Sequence, residues 1–202
     1  MQNVNEFLAW NDRQFIFLPV PLHFKPNTSI NLFRQKNNKT VAETIIHKRY
    51  FNAATETRIR YPHRLQEPLG TFLFSLKSAQ DNFYQRFLNR YGDAEYIEFW
   101  IKDQDILSKK GLYLYKVEEI LVYLGRCKDS FMKRINNGYG KIHPKNCYVD
   151  GQATNCHINS MITGVRERVR LYVCDLHDDV EIDAAERNLI QKYQPPWNIQ
   201  LI

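Results

Sequence analysis

Five residues in the second half of the chain are of types that phosphodiester hydrolysis can use: Tyr113, Tyr123, Arg134, Glu186 and Asn198. Such hydrolysis requires an attacking water that loses a proton, a cation to meet charge developing on the phosphate, and support for the leaving oxygen. Tyr113 can serve as general base if a neighbouring cation or metal lowers its phenol from an ordinary pKa of about 10. Tyr123 follows ten positions later. Cross-strand neighbours on one sheet face lie about 5 Å apart, so two paired strands can present both phenols to one phosphate. Arg134 offers a planar, permanently charged donor fork matched to phosphate oxygens. Glu186 is the carboxylate expected to hold a divalent metal, with oxygen ligation and retained water favouring magnesium, or manganese. Asn198, uncharged, is expected to position that glutamate or the phosphate.

The surrounding sequence must build the elements that hold these side chains. Residues 112–117 and 120–125 are two β-rich runs separated by Glu118-Glu119, which predicts a hairpin of antiparallel strands. Asp129 or Ser130 can cap a helix containing Phe131, Met132 and Ile135, with Gly138 as its stop. A short helix over 155–162 and a strand over 169–173 come next. Asp183 can cap a last helix with Ala184, Ala185, Leu189 and Ile190 inward, ending before Pro195-Pro196. The order β-β-α-(α)-β-α predicts an α+β fold, a small antiparallel sheet flanked by helices.

The first half is less regular. Phe15 to Leu18 is a short strand ended by Pro19, and Thr40 caps a helix through Val41, Ile45 and Ile46. Phe72 to Leu76 is a buried strand or the first turn of the next helical segment. Asp81 to Tyr91 is an amphipathic helix stopped by Gly92, and 96–101 alternates as a strand. The polar connector over 103–110 sets the expected boundary, giving regions 1–105, of mixed α/β structure, and 106–202.

Gly111-Leu112-Tyr113 and Tyr123-Leu124-Gly125 resemble the paired signature of the GIY-YIG nuclease superfamily, and Arg134, Glu186 and Pro195-Pro196-Trp197-Asn198 stand in that family's order. The likeness covers 111–200, roughly half the chain. It implies a metal-dependent endonuclease domain over 106–202 acting on double-stranded DNA with one divalent ion, Mg2+ or Mn2+. In this family specificity comes from added segments, so region 1–105 is expected to recognise DNA or to dimerise. A chain of this size resembles type II restriction endonucleases, which act as homodimers on symmetric sites. A phage or mobile-element endonuclease of looser specificity is the alternative, supported by the Pro-Pro-Trp-Asn-Ile-Gln tail; a non-catalytic nucleic-acid-binding module is another. Some details depart from the family pattern. Cys127 stands where Thr or Ser is usual, and Arg134 sits one residue farther along, which keeps Arg126 and Lys133 as reserve phosphate cations. A histidine that some members carry beyond the arginine has no counterpart in Asn136-Asn137-Gly138-Tyr139, and His143 and His157 are ordinary loop or core residues.

Charge agrees with a polyanionic partner. Lys and Arg number 28 against 22 Asp and Glu, a formal charge of +6. Residues 126–170 hold nine basic and three acidic residues, whereas 171–186 hold six acidic and no Lys or Arg. Expected DNA contacts are Arg126, Lys133, Tyr139, Lys141, Asn155 and Asn159, with Arg58, Arg60 and Arg64 in an aromatic-basic stretch beside Tyr61 and His63. The four cysteines, Cys127, Cys147, Cys156 and Cys174, show no zinc spacing and are expected to be reduced and partly buried. With no export signal and no apolar run near the roughly 18 residues of a spanning helix, a cytoplasmic protein with no membrane partner is expected.

Overall fold

The computed structural model describes residues 4–199. Along the chain the elements are β1 (Glu6–Trp10), β2 (Arg13–Val20), β3 (His23–Ser29), α1 (Val41–Ile45), α2 (Phe51–Arg60), α3 (Leu69–Ser78), β4 (Tyr96–Trp100), α4 (Gln104–Leu107), β5 (Gly111–Val117) and β6 (Ile120–Cys127). A π-helix (Met132–Tyr139), α5 (Ala153–Val165), β7 (Val169–Asp175) and α6 (Asp179–Tyr193) complete it, with short 3-10 turns between. The fold is α+β, with antiparallel sheet flanked by helices.

The chain divides into two compact units, one of Met1–Pro26, Glu98–Lys141 and Met161–Ile202, the other of Asn27–Ile97 and Ile142–Ser160. A single cut near residue 105 is therefore corrected. The cause is register: β2 pairs with β7 through Leu18↔Val173, Pro19↔Tyr172 and Val20↔Leu171, which joins the amino-terminal hairpin to the sheet of the first unit.

That sheet has the order β1-β2-β7-β5-β6. Its inner strand β5, between β7 and β6, is apolar and aromatic on both faces, as a strand covered from both sides must be, and every residue from Gly111 to Lys116 is buried. Successive side chains alternate between faces. Leu112 and Leu114, with Leu124 of β6, face Ile182, Ala185, Leu189 and Ile190 of α6, joined by Leu8, Phe15 and Phe17 from the first hairpin. The inward residues of α6 recur at helical spacing. Its cap is Asp178, whose carboxylate accepts from the backbone of Val180 and Glu181, so the helix begins earlier than a cap at Asp183 would allow. β2 also runs through Pro19 instead of ending there. The described β1–β2 pairing stops at Glu6↔Phe17, so the missing N–H of Pro19 breaks no described bond of that ladder.

The second unit is mainly helical and packs around Phe33, Tyr50, Phe72, Phe87 and Tyr148. Thr40 caps α1 with a full capping box to Glu43. Phe72 to Leu76 lies within α3, whose Leu69, Phe72, Leu73 and Leu76 form one buried stripe. The expected helix from Asp81 to Tyr91 shortens to a 3-10 segment, Asn82–Phe87. Leu88 turns extended to bridge Tyr148, and Asn89 donates to the carbonyls of Asn146 (2.6 Å) and Tyr148 (3.3 Å), which pulls the chain out of helical geometry.

Candidate active site

Register in the β5–β6 hairpin decides which aromatic side chains meet. Tyr113 lies opposite Gly125 and Tyr115 opposite Tyr123, so Tyr113 and Tyr123 are diagonal neighbours on one face, with ring centroids 6.2 Å apart. Gly125 is required by that diagonal. A Cβ there would fall 2.5 Å from the Tyr113 hydroxyl and 2.9 Å from a ring carbon of Tyr123, so the glycine leaves the space into which the Tyr113 ring extends.

The π-helix, with Ile135 and Tyr139, and its cap residue Phe131 cover this face, all three buried. It runs through Gly138, where a stop was expected, and the Gly140 N–H bonds to the carbonyl of Ile135 five residues back (2.6 Å). The wider π turn brings residues five apart onto one side. Arg134 and Tyr139 accordingly stack, with the guanidinium 4.8 Å above the Tyr139 ring. The Tyr139 hydroxyl bonds to the hydroxyls of Tyr113 (2.9 Å) and Tyr123 (3.0 Å). Arg134 Nε donates to the Tyr113 oxygen at 3.0 Å. Three phenols and one guanidinium thus form a single network.

Burial sets the protonation of this network. It raises the pKa of Tyr113 well above the ordinary phenol value, and nearby Tyr123 raises it further, against the opposing pull of Arg134 and Tyr139. Tyr139 is shifted the same way, by burial first. General-base duty for Tyr113 needs a lowered pKa, and the geometry produces the reverse. Tyr113 accepts the Arg134 Nε–H and so orients the guanidinium. Arg134 keeps its charge beside the phenols. With Nε occupied, its two Nη groups face no hydrogen-bond partner among the described residues.

Glu186 and Asn198 meet at the outer edge of β6. Asn198 clasps one residue: Leu124 N–H donates to Asn198 Oδ1 (3.0 Å), and Asn198 Nδ2 donates to the Leu124 carbonyl (2.8 Å). Trp197 N–H bonds to the Val122 carbonyl (2.8 Å), so the tail covers an exposed strand edge. Two residues along, Glu186 accepts from the Arg126 backbone and pairs with Arg126 Nε at 3.0 Å. Burial raises the Glu186 pKa, with Arg126 and then Arg134 opposing, so both guanidinium charges act on this carboxylate. Arg126 and Lys128 also engage Asp183, one helical turn before Glu186.

The donor set suits a hard cation held sparingly. Among the described residues no three His, Cys, Asp or Glu side chains gather in a cluster that could hold a metal. Magnesium, however, is commonly held by one or two carboxylates with water and substrate phosphate completing its shell. Glu186, with 18% of its side chain exposed, is one such carboxylate, and Asp183, which shares Arg126 with it, is a second.

Other expected contacts lie elsewhere or serve structure. Tyr139 is fully buried and belongs to the phenol network, not to a DNA-facing surface. Asn159 is also fully buried: it exchanges hydrogen bonds with the backbone of Ile97 (3.1 and 2.7 Å), and Asn155, 4% exposed, donates to Gln152. Both are corrected from DNA contacts to structural amides. Arg60 is paired with Glu56 and Asp81, and Arg64 with Glu67, so of that basic stretch only Arg58 is outside these pairs. Lys133 and Lys141 are exposed, Lys133 beside Asp129 (3.4 Å). His143 caps a 3-10 turn, and His157 packs on Tyr91. All four cysteines are free and buried. No described helix is long and apolar enough to cross a membrane.

Tyr139 is the member of the network that sequence reasoning misplaced. Its signal was present as an aromatic five residues after the arginine, a spacing outside the three- and four-residue periods by which helix faces are read. Compared with known proteins, the chain matches no family model, no curated protein and no solved structure.

Proposed function

We propose that the chain is a metal-dependent endonuclease that hydrolyses phosphodiester bonds in double-stranded DNA, of GIY-YIG type and most simply a type II restriction enzyme acting as a homodimer. One observation carries the reading: Arg134 is held by the buried Tyr113–Tyr139–Tyr123 network, with no hydrogen bond from its two Nη groups among the described residues, in the electrostatic field of Glu186. A fixed guanidinium with a free pair of donors is what a phosphate oxygen pair accepts. Glu186, with Asp183 behind it, would hold magnesium or manganese, which when bound supplies positive charge against that developing on the phosphate.

The chain's own groups then divide the work. Arg134 binds non-bridging phosphate oxygens. Tyr113 fixes the plane of its fork through Nε, and Tyr123, 6% exposed, is the phenol nearest solvent and able to donate to the substrate. Asn198 holds the edge strand that places Glu186, a positioning role. The test is incubation of plasmid DNA with protein and magnesium, beside EDTA and Glu186→Ala controls. Discrete fragments that vanish in both controls support the restriction reading. Smears or nicks move it to an endonuclease of looser specificity, and intact plasmid under all conditions overturns hydrolysis.

A further inference from the structure

The second unit holds three lysines around one cleft of about 100 Å³: Lys36, Lys39 and Lys145. Lys36 comes directly after the 3-10 segment Leu32–Gln35, Lys145 lies in the 3-10 turn Pro144–Cys147, and Lys39 precedes α1. Among the described residues none of the three makes an ion pair, although Arg60, Arg64, Lys77 and Arg86 of the same unit all do. The two carboxylates in the wall are otherwise engaged. Glu43 accepts from the backbone and hydroxyl of Thr40 (2.7 and 3.2 Å) as part of the α1 cap, and Asp150 accepts from the Tyr50 hydroxyl (2.5 Å).

Lys36 is the anchor of the cluster. It is half-buried, with Nζ 4.5 Å over the ring of the fully buried Tyr148, which fixes where its charge sits. Burial lowers its pKa, and Lys39 and Lys145 lower it further against the pull of Asp150. Like charges held together at this position repel unless an anion joins them. A tetrahedral, multiply accepting anion can engage several ammonium groups of one cleft better than a second carboxylate does.

We propose that this cleft is a phosphate-binding site, and that it takes a backbone phosphate of the nucleic acid assigned to the chain above. It rests on the nuclease reading for its ligand's source but not for its chemistry. The second unit's DNA contact thereby moves from Arg60 and Arg64, which are paired, to lysines that are not.

The test uses the full chain in EDTA, where binding is separated from cleavage, with a short duplex DNA and fluorescence anisotropy over a range of salt. Lys36→Met with Lys145→Met removes two charges and keeps apolar stems of similar length. One lost phosphate contact should weaken binding by about tenfold at low salt and reduce the slope of log K against log salt by about 1. Lys39→Met, at an exposed position, should weaken binding in the same direction should the double variant fold poorly. Unchanged affinity and slope in both variants overturns the site, while the magnesium cleavage assay tests the nuclease reading separately. A parallel titration with inorganic phosphate, monitored by amide shifts around Lys36 and Lys145, distinguishes the source. Shifts with free phosphate and none with duplex overturn the nucleic-acid assignment.

Discussion

Glu186 carries a cost that a titration can read. Burial lifts its carboxyl above the ordinary 4.5, so the native state holds that proton more tightly than the unfolded chain does. Ionising it therefore opposes folding at neutral pH, and the penalty fades as pH falls through the raised pKa toward 4.5. Glu186→Gln, neutral throughout, should melt higher than the parent at neutral pH, with the gap closing in acid; a gap that widens in acid would refute this placement of the carboxylate. Tyr113, Tyr123 and Arg134 were legible at this scale because strand alternation and a charged residue after a hairpin are local patterns. The state of Tyr113 was not. A phenol's pKa depends on what covers it, and the cover here is a helix whose turn the sequence does not announce.

Edge strand β6 is where the tail, the last helix and the hairpin converge. Asn198 stands in for a neighbouring strand, giving Leu124 the donor and acceptor that a sheet edge lacks. Removing it leaves both backbone groups to water. Asn198→Ala is expected to cost about 1–2 kcal/mol and to speed hydrogen exchange at the Leu124 amide more than at Tyr113 in the inner strand β5. Equal protection of Leu124 in parent and variant would show that the clasp contributes nothing. The hairpin, β7 and α6 were readable from β-rich composition and helical periodicity. The π-helix was not, since its glycine at 138 reads as a stop, and neither was the short 3-10 segment Asn82–Phe87, where tertiary bonds from Asn89 override a helical stripe.

At the scale of the whole chain, the boundary near residue 105 failed for a reason local patterns cannot contain: the β1–β2 hairpin joins β7 through β2, across more than half the sequence. A fragment of residues 106–202 lacks Leu8, Phe15 and Phe17 from the core beneath α6. Three large apolar side chains bury several kcal/mol of stabilisation, of the order of the whole margin of a small domain. The fragment should therefore show no cooperative thermal transition by circular dichroism, whereas a sharp transition would establish 106–202 as self-sufficient. The sheet's antiparallel character and its flanking helices were legible; the source of its outer strands was not.

In the proposed chemistry Arg134, and not Arg126, meets the phosphate. Arg126 spends its fork on Asp183 and Glu186, while Arg134 is aimed by Tyr113 and keeps two donors open. Single-turnover cleavage of plasmid in magnesium, comparing Arg134→Lys with Arg126→Lys, separates the two. Loss of a charge-stabilising donor costs about 100- to 1,000-fold in rate, which is the loss expected for Arg134→Lys, with Arg126→Lys within about tenfold of the parent. The opposite order, Arg126→Lys inactive and Arg134→Lys near the parental rate, would contradict the assignment.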